Sequence, residues 1–324
     1  MRIPRLRFLA LSSLVLVASF LLAPGPVGAQ FPGTPGRIAF LAAFDGQNRP
    51  DIYTIAADGT GLRRLTATPN AFKSGPVWSP DGTRLTFHVV SAGGPQVFVM
   101  KRDGTGRKLI APGSNPTWGP DGTLLFESPT TCSRGRLFAT STLAGAVTPL
   151  TICGLQPVWS PDGDTIAFTR NRGALDGGGF ANRDLWIADV DGSNERRVAR
   201  SAGTADLPAG LFSPAWSPDG ASLAFEDIRS QEGCETLITR VRMVNVSSGA
   251  RSRGPLEERG YDWSPAGDRF VTATVTRDDP CLNAPASSAL EITTTAGTDV
   301  ATVISVPFEG AAPNLVSEPS WQPR

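Results

Sequence analysis

The stretch Pro76-Val77-Trp78-Ser79-Pro80-Asp81-Gly82 decides how the rest of the chain is read, because the sequence keeps returning to it. It recurs as Pro116-Thr117-Trp118-Gly119-Pro120-Asp121-Gly122 and as Pro157-Val158-Trp159-Ser160-Pro161-Asp162-Gly163. A further copy is Pro214-Ala215-Trp216-Ser217-Pro218-Asp219-Gly220. A worn copy follows at Tyr261-Asp262-Trp263-Ser264-Pro265-Ala266-Gly267, and a truncated one, Pro319-Ser320-Trp321-Gln322-Pro323, closes the chain. Six of the seven tryptophans fall in this motif, at spacings of 40, 41, 57, 47 and 58 residues, which is the signature of a repeat architecture. The motif has a physical reading. Proline pre-sets φ at the first corner of a hairpin turn, and glycine accepts the positive φ that ends it. Tryptophan just before the turn is a flat apolar plug between neighbouring units. The repeated Trp, Asp and Gly residues are therefore read as structural.

Around each motif the pattern is that of short strands. An alternating run ends in an aromatic residue (Arg84-Leu85-Thr86-Phe87, Leu124-Leu125-Phe126, Thr165-Ile166-Ala167-Phe168, Ser222-Leu223-Ala224-Phe225). A second run follows, such as Asp51 to Ile55, Gln96 to Met100, Arg136 to Ala139 and Asp184 to Ala188. Period-two alternation with aromatic and β-branched residues is the strand signal. Asp-Gly turns (Asp58-Gly59, Asp103-Gly104, Asp191-Gly192) then lead into a last short run. Counting the Pro-x-Trp run, each repeat supplies four strands, and four-stranded units of about 40 to 50 residues are propeller blades. The expected fold is all-β: a six-bladed β-propeller of four-stranded antiparallel blades. Gly36 to Phe40 opens without a Trp motif and Pro319-Ser320-Trp321 has no successor. The two ends are expected to complete one blade and close the ring, leaving no open edge.

The first residues read as an export signal. Arg2, Arg5 and Arg7 precede the apolar run Phe8 to Leu22, and Val27-Gly28-Ala29 offers small residues for cleavage before Gln30. The run is short for a membrane span of about 20 residues, so cleavage after Ala29 is expected rather than retention as an anchor. Residues 30–324 then form a single domain with no stable membrane insertion, periplasmic or extracellular. Thirty basic and thirty acidic residues cancel, and the pI is near 6.6. That balance gives no reason to expect nucleic acid as a partner. The four cysteines allow three pairings. Cys132 and Cys153 share one repeat, and Cys234 and Cys281 each lie 18 residues after their tryptophan, so 132–153 and 234–281 are the expected disulfides.

The unit Pro-x-Trp-Ser-Pro-Asp-Gly-x-x-(Ile/Leu)-(Ala/Thr)-Phe resembles the WD40-like (PD40) repeat of the TolB-type six-bladed propellers, from about Arg37 to Pro323. That resemblance implies a periplasmic binding propeller, in a family whose namesake belongs to the Tol–Pal system and carries an α/β domain before the propeller. Some seven residues lie between the expected cleavage site and the first strand, too few for that domain. The same repeats also precede the catalytic domain of prolyl-oligopeptidase-like hydrolases, but no Gly-x-Ser-x-Gly elbow followed by a histidine occurs here.

Chemistry is thinly provided. The single histidine, His88, is opposite in alternation to Phe87 and reads as a buried or loop-facing residue. The pectin-fragment lyases that share such a propeller place several histidines around a metal, which one histidine cannot reproduce. Glu127, Glu226, Asp227 and Asp45 follow their strands and could converge as paired carboxylates for glycoside chemistry or a hard cation. Asp189 to Asn194 mimics the start of a calcium loop without the closing Glu, so a hairpin turn is expected. No catalytic residue, cofactor or metal is assigned. The connections that vary most between repeats, 170–183, 228–235 and 277–287, lie opposite the Trp-motif turns, and insertions on one face of a repeat array often mark the binding face. Arg170, Arg172, Arg183, Glu226, Asp227, Arg229 and Arg277 are the binding-face candidates there. The expected function is a monomeric, non-catalytic binding or scaffold protein for a protein, peptide or glycan partner. A carboxylate- or metal-dependent carbohydrate enzyme and a divergent Tol–Pal component are the alternatives.

Overall fold

A computed structural model describes residues 36–44, 49–68, 71–128, 132, 135–140, 145–172, 182–202, 209–230, 237–256, 258–277, 285–307 and 316–323. The proposed signal peptide, Asp45, Gly177 to Gly179, Cys234 and Cys281 lie outside them. Three strands come first: β1 (Ile38–Ala42), β2 (Asp51–Ile55) and β3 (Arg63–Arg64). Blades of four follow. The first holds β4 (Phe72–Trp78), β5 (Arg84–Ser91), β6 (Gly94–Lys101) and β7 (Lys108–Pro112). The next holds β8 (Ser114–Trp118), β9 (Leu124–Ser128), β10 (Arg136–Thr140) and β11 (Thr148–Cys153). Then come β12 (Leu155–Trp159), β13 (Thr165–Asn171), β14 (Arg183–Asp189) and β15 (Arg196–Ala199). They are followed by β16 (Ala209–Trp216), β17 (Ser222–Ser230), β18 (Leu237–Asn245) and β19 (Arg251–Leu256). The last complete set is β20 (Glu258–Trp263), β21 (Arg269–Arg277), β22 (Pro285–Thr294) and β23 (Val300–Pro307).

The remaining strand, β24 (Val316–Trp321), runs antiparallel beside β1, with Ile38 opposite Trp321, and completes the sheet β24-β1-β2-β3. The ring closes as the two chain ends require. Each Pro-x-Trp strand is the innermost of its blade, and β4, β8, β12, β16, β20 and β24 touch in succession, with β24 returning to β4. One parallel pairing, Arg183 with Gly210, bridges the blades of β14 and β16.

Burial follows the alternation of the sequence. Phe40, Phe87, Phe126, Phe168 and Phe225 are all buried in their second strands. Three of them stack on an aromatic of the third strand: Phe40 on Tyr53, Phe87 on Phe98 and Phe126 on Phe138. Three of the motif tryptophans are hydrogen-bonded across blades. The indole N–H of Trp118 donates to Val77 O at 3.2 Å, that of Trp216 to Val158 O at 3.4 Å and that of Trp263 to Ala215 O at 3.3 Å. In every case the acceptor is the residue just before the tryptophan of the preceding blade.

The motif turn is held by its own side chains. Ser79 Oγ donates to Asp81 Oδ1 at 2.6 Å, the Thr83 amide donates to the same oxygen at 3.0 Å, and Gly82 sits at φ 62°. In the worn copy Ala266 cannot accept, and Asp268 takes over, receiving Ser264 Oγ at 2.8 Å. The Asp191 turn is a hairpin of the same kind, its carboxylate accepting from the Ser193 amide at 2.8 Å. Cys132 and Cys153 are disulfide-bonded as expected.

Candidate functional site

The inner strands share a kink. The residue three before tryptophan adopts left-handed backbone in five of them: Gly75 (φ 62°), Asn115 (48°), Gln156 (50°), Ser213 (49°) and Gly260 (97°). The ladder to the second strand shifts register beside each one. Such a bulge frees a backbone N–H from the ladder and aims it elsewhere. Holding a non-glycine residue there costs about 1–2 kcal/mol, so the surroundings must compensate.

Compensation comes from the neighbouring blade. The Asn115 amide donates to His88 Nδ1 at 3.3 Å, and the Gln156 amide donates to Glu127 Oε2. The Gly260 amide donates to Glu226 Oε1 at 2.9 Å. His88, Glu127 and Glu226 occupy one position, the residue after the buried phenylalanine of the second strand. In the fourth case Thr169 stands there and is too short. Its hydroxyl holds the Gln156 amide oxygen at 3.4 Å, and that oxygen accepts from the Ser213 amide at 3.2 Å. Further bonds complete the clasps: Asn115 Nδ2 to Glu127 Oε1 at 2.8 Å, Ser213 Oγ to Glu226 Oε2 at 3.0 Å, and Tyr261 OH to Ser213 O at 2.7 Å.

These groups resembled catalytic candidates in the sequence, and the geometry makes them fasteners. His88 is buried, and burial pushes its pKa down to about 4, so it remains a neutral acceptor. Burial raises the Glu127 carboxyl above its usual range, with the Gln156, Asn115 and Ser114 hydrogen bonds opposing the rise. Asp262, the residue before Trp263, takes a comparable role one step along: Oδ2 accepts from the Trp321 amide at 2.7 Å and Oδ1 from the Trp263 amide at 2.9 Å. Burial nevertheless carries its pKa up to about 7. Glu127→Ala strands the Gln156 amide and the Asn115 side chain in a buried seam. A loss of about 3 kcal/mol is expected, read by urea unfolding at pH 7.

The binding-face candidates divide among several tasks. Arg170 lies across its blade over Phe168 and Trp186, each 5.1 Å away, and pairs with Glu195 at 2.6 Å. Its Nε also donates to Cys153 O in the preceding blade at 2.8 Å. Arg172 donates to Ser201 Oγ at 2.8 Å and stands 3.7 Å from Asp184. Asp227 is buried and bound by both arms of Arg229, at 2.9 and 2.6 Å. Arg183 packs 4.7 Å over Phe212 and donates Nε to Asn171 Oδ1 at 3.0 Å. The side chain of Arg277 lies outside the described residues. Arg170, Glu226 and Asp227 therefore secure the scaffold, and Arg183 and Arg229 stand at the insertion-bearing face. Sequence reasoning did not find the clasps, although the signal was present: a polar residue after phenylalanine in one repeat and a polar or glycine residue before the Pro-x-Trp run in the next.

Comparison with known proteins follows the architecture. The solved TolB of Acinetobacter baumannii superposes with a TM-score of 0.64 at 19% identity, covering 89% of this chain and 67% of that one. The fold is that of a TolB-like β-propeller. A putative TolB from Agrobacterium tumefaciens gives a TM-score of 0.58 at 18% identity, over 85% of this chain and 91% of that one. In sequence, the Tol-Pal system protein TolB of Gluconobacter oxydans is 31% identical over 144 residues, 44% of this chain. The TolB-like chain spans 22% of that relative's length. No family model matches it.

Proposed function

We propose that this TolB-like propeller is an exported, non-catalytic binding protein of the cell envelope that docks a protein or peptide segment on its insertion-bearing face. The observation that carries the reading is the use of His88, Glu127 and Glu226 as blade-to-blade acceptors, which leaves them committed to the scaffold. The insertion-bearing face also offers an exposed apolar pair. Phe72 and Val90 face each other across β4 and β5, 42% and 44% exposed, with Arg49 above the Phe72 ring at 5.8 Å. Exposed aromatic and arginine side chains in contact are the usual anchors of a protein interface. The match to a protein named for the Tol-Pal system supports testing a Pal-type lipoprotein as the first partner.

The test is capture from an envelope extract, alongside purified Pal-type lipoprotein, with wild type, the double variant Phe72→Ser/Val90→Ser, and the control Val300→Ser. Val300 is 57% exposed on β23, in another blade. Partners retained by wild type and the control should be lost from the double variant. Identical captured sets for all three baits would reject the docking face.

A further inference from the structure

The Trp-motif face holds a cleft between the third and fourth Trp-motif blades. It encloses about 280 Å³ and is lined by Trp216 and Val246 on one side and by Asp162, Asp189, Asn194 and Arg196 on the other. This is the small end of ligand-pocket size, which runs from about 300 Å³ upward. Trp216 is half-buried here, as is Trp159, whereas Trp78, Trp118, Trp263 and Trp321 are buried.

The polar wall lacks a bond that two other copies of the turn make, and the Trp216 copy, with Ala221 at that place, lacks it too. In two other copies a threonine two residues after the motif aspartate caps its outer oxygen: Thr83 Oγ1 to Asp81 Oδ2 and Thr123 Oγ1 to Asp121 Oδ2, both at 2.8 Å. The equivalent residue here is Asp164, which lacks the threonine hydroxyl. Its backbone amide still binds Asp162 Oδ1, at 3.1 Å, so the turn is intact. Ser160 Oγ also donates to Oδ1, at 2.5 Å, so both bonds that Asp162 receives from neighbouring residues fall on one oxygen. Asp189 is similar: Ser193 Oγ and Asn194 Nδ2 both donate to Oδ2, at 3.2 and 2.7 Å, and Oδ1 receives nothing from the described residues. Arg196 donates one nitrogen to Val246 O at 2.9 Å, and its side chain lines the cleft.

We propose that this cleft binds a single saccharide unit. A sugar ring has an apolar C–H face that suits the half-buried Trp216 and a rim of hydroxyls that both donate and accept. Oxygens of Asp162 and Asp189 would accept hydrogen bonds from two hydroxyls, and Arg196 would donate to a hydroxyl or ring oxygen. A bare cation fits less well, because Arg196 shares the cleft and no group of three or more potential metal ligands occurs among the described residues. This site is separate from the insertion-bearing face, and the two can fail independently.

The test is calorimetry on the full chain with glucose, galactose, mannose, N-acetylglucosamine and glucuronate as probes, and calcium chloride as the competing ligand. At least one sugar should bind with a Kd of about 1 mM or tighter. Asp164→Thr, which restores the cap seen in the other turns, and Asp189→Asn should each weaken that binding about tenfold or more while leaving the melting temperature unchanged. Phe72→Ser/Val90→Ser should leave it intact. Absence of binding by every sugar, wild-type affinity in both cleft variants, or a saturable signal from calcium alone would each overturn the proposal.

Discussion

Lowering the pH from 7 towards 4 is expected to cost the fold about 3 kcal/mol through one side chain, His88. It is the only histidine of the chain. Its imidazole is buried and accepts the Asn115 amide through Nδ1, which requires that nitrogen to be unprotonated. Burial depresses its pKa from 6.5 to about 4. Between those two values the unfolded chain holds a proton that the folded chain refuses. The stabilisation is therefore complete above pH 6.5 and is lost as the pH falls towards 4. Asp262 works in the opposite sense. Its folded pKa of about 7 lies above its ordinary 3.8, so it favours the fold as the pH falls through that interval. The measurement is thus a difference: urea unfolding of wild type and His88→Gln across the pH range, with glutamine supplying an uncharged acceptor. The wild type should lose stability relative to the variant below pH 6.5, and a single imidazole resonance should titrate near 4. A resonance titrating near 6.5 would show that the clasp is absent.

The second large effect is expected at Asp51. Asp51→Ala should destabilise the protein by about 3–5 kcal/mol, because it strands a buried cation. Lys73 and Asp51 are both 0% exposed and 2.7 Å apart, and the Lys73 ammonium also donates to the carbonyls of Pro50, Thr68 and Ala71 at 3.1–3.2 Å. Burial lowers the Lys73 pKa, and the Asp51 bond resists that fall. Burial acts to raise Asp51, but its bonds from Lys73, Thr66 and Arg64 hold it below the ordinary carboxylate value. The pair fastens the start of β2 to the start of β4. Replacing both members with apolar residues, Asp51→Leu/Lys73→Met, should recover more than half of the loss, since a buried pair adds little net stability once desolvation is counted. A double variant as unstable as Asp51→Ala would show that the carboxylate acts through Thr66 and Arg64 instead. Equilibrium urea unfolding separates these outcomes.

Much of the scaffold could be read in advance because its causes are local. A Ser-Pro-Asp-Gly turn needs only its own residues, so Trp78, Asp81 and Gly82 announce a hairpin wherever the motif stands. Alternation around Phe87 or Phe168 follows from the pleat of a single strand. The Cys132–Cys153 disulfide lies within one repeat and was legible for the same reason. The role of His88 was not. Its partner, Asn115, lies 27 residues away in the next blade, and the bond exists only because a left-handed kink turns that amide sideways. Arg170 shows the same limit: its place after the second strand suggested a rim, yet its length lets it lie over Phe168 and Trp186 to reach Glu195. The cleft beside Asp162 was also hidden, since it depends on Trp216 of the next blade being close.

The sequence by itself determined the repeat, the strands, the turns and the closure of the ring by the two chain ends, because period-two alternation and turn chemistry act over a few residues. Only the tertiary structure decided what the Trp-Ser-Pro-Asp-Gly stretch is next to. That arrangement makes carboxylates and an imidazole into seams between blades, and it places a cleft on the motif face. Contacts between blades depend on the packing of whole sheets, and no single repeat encodes them.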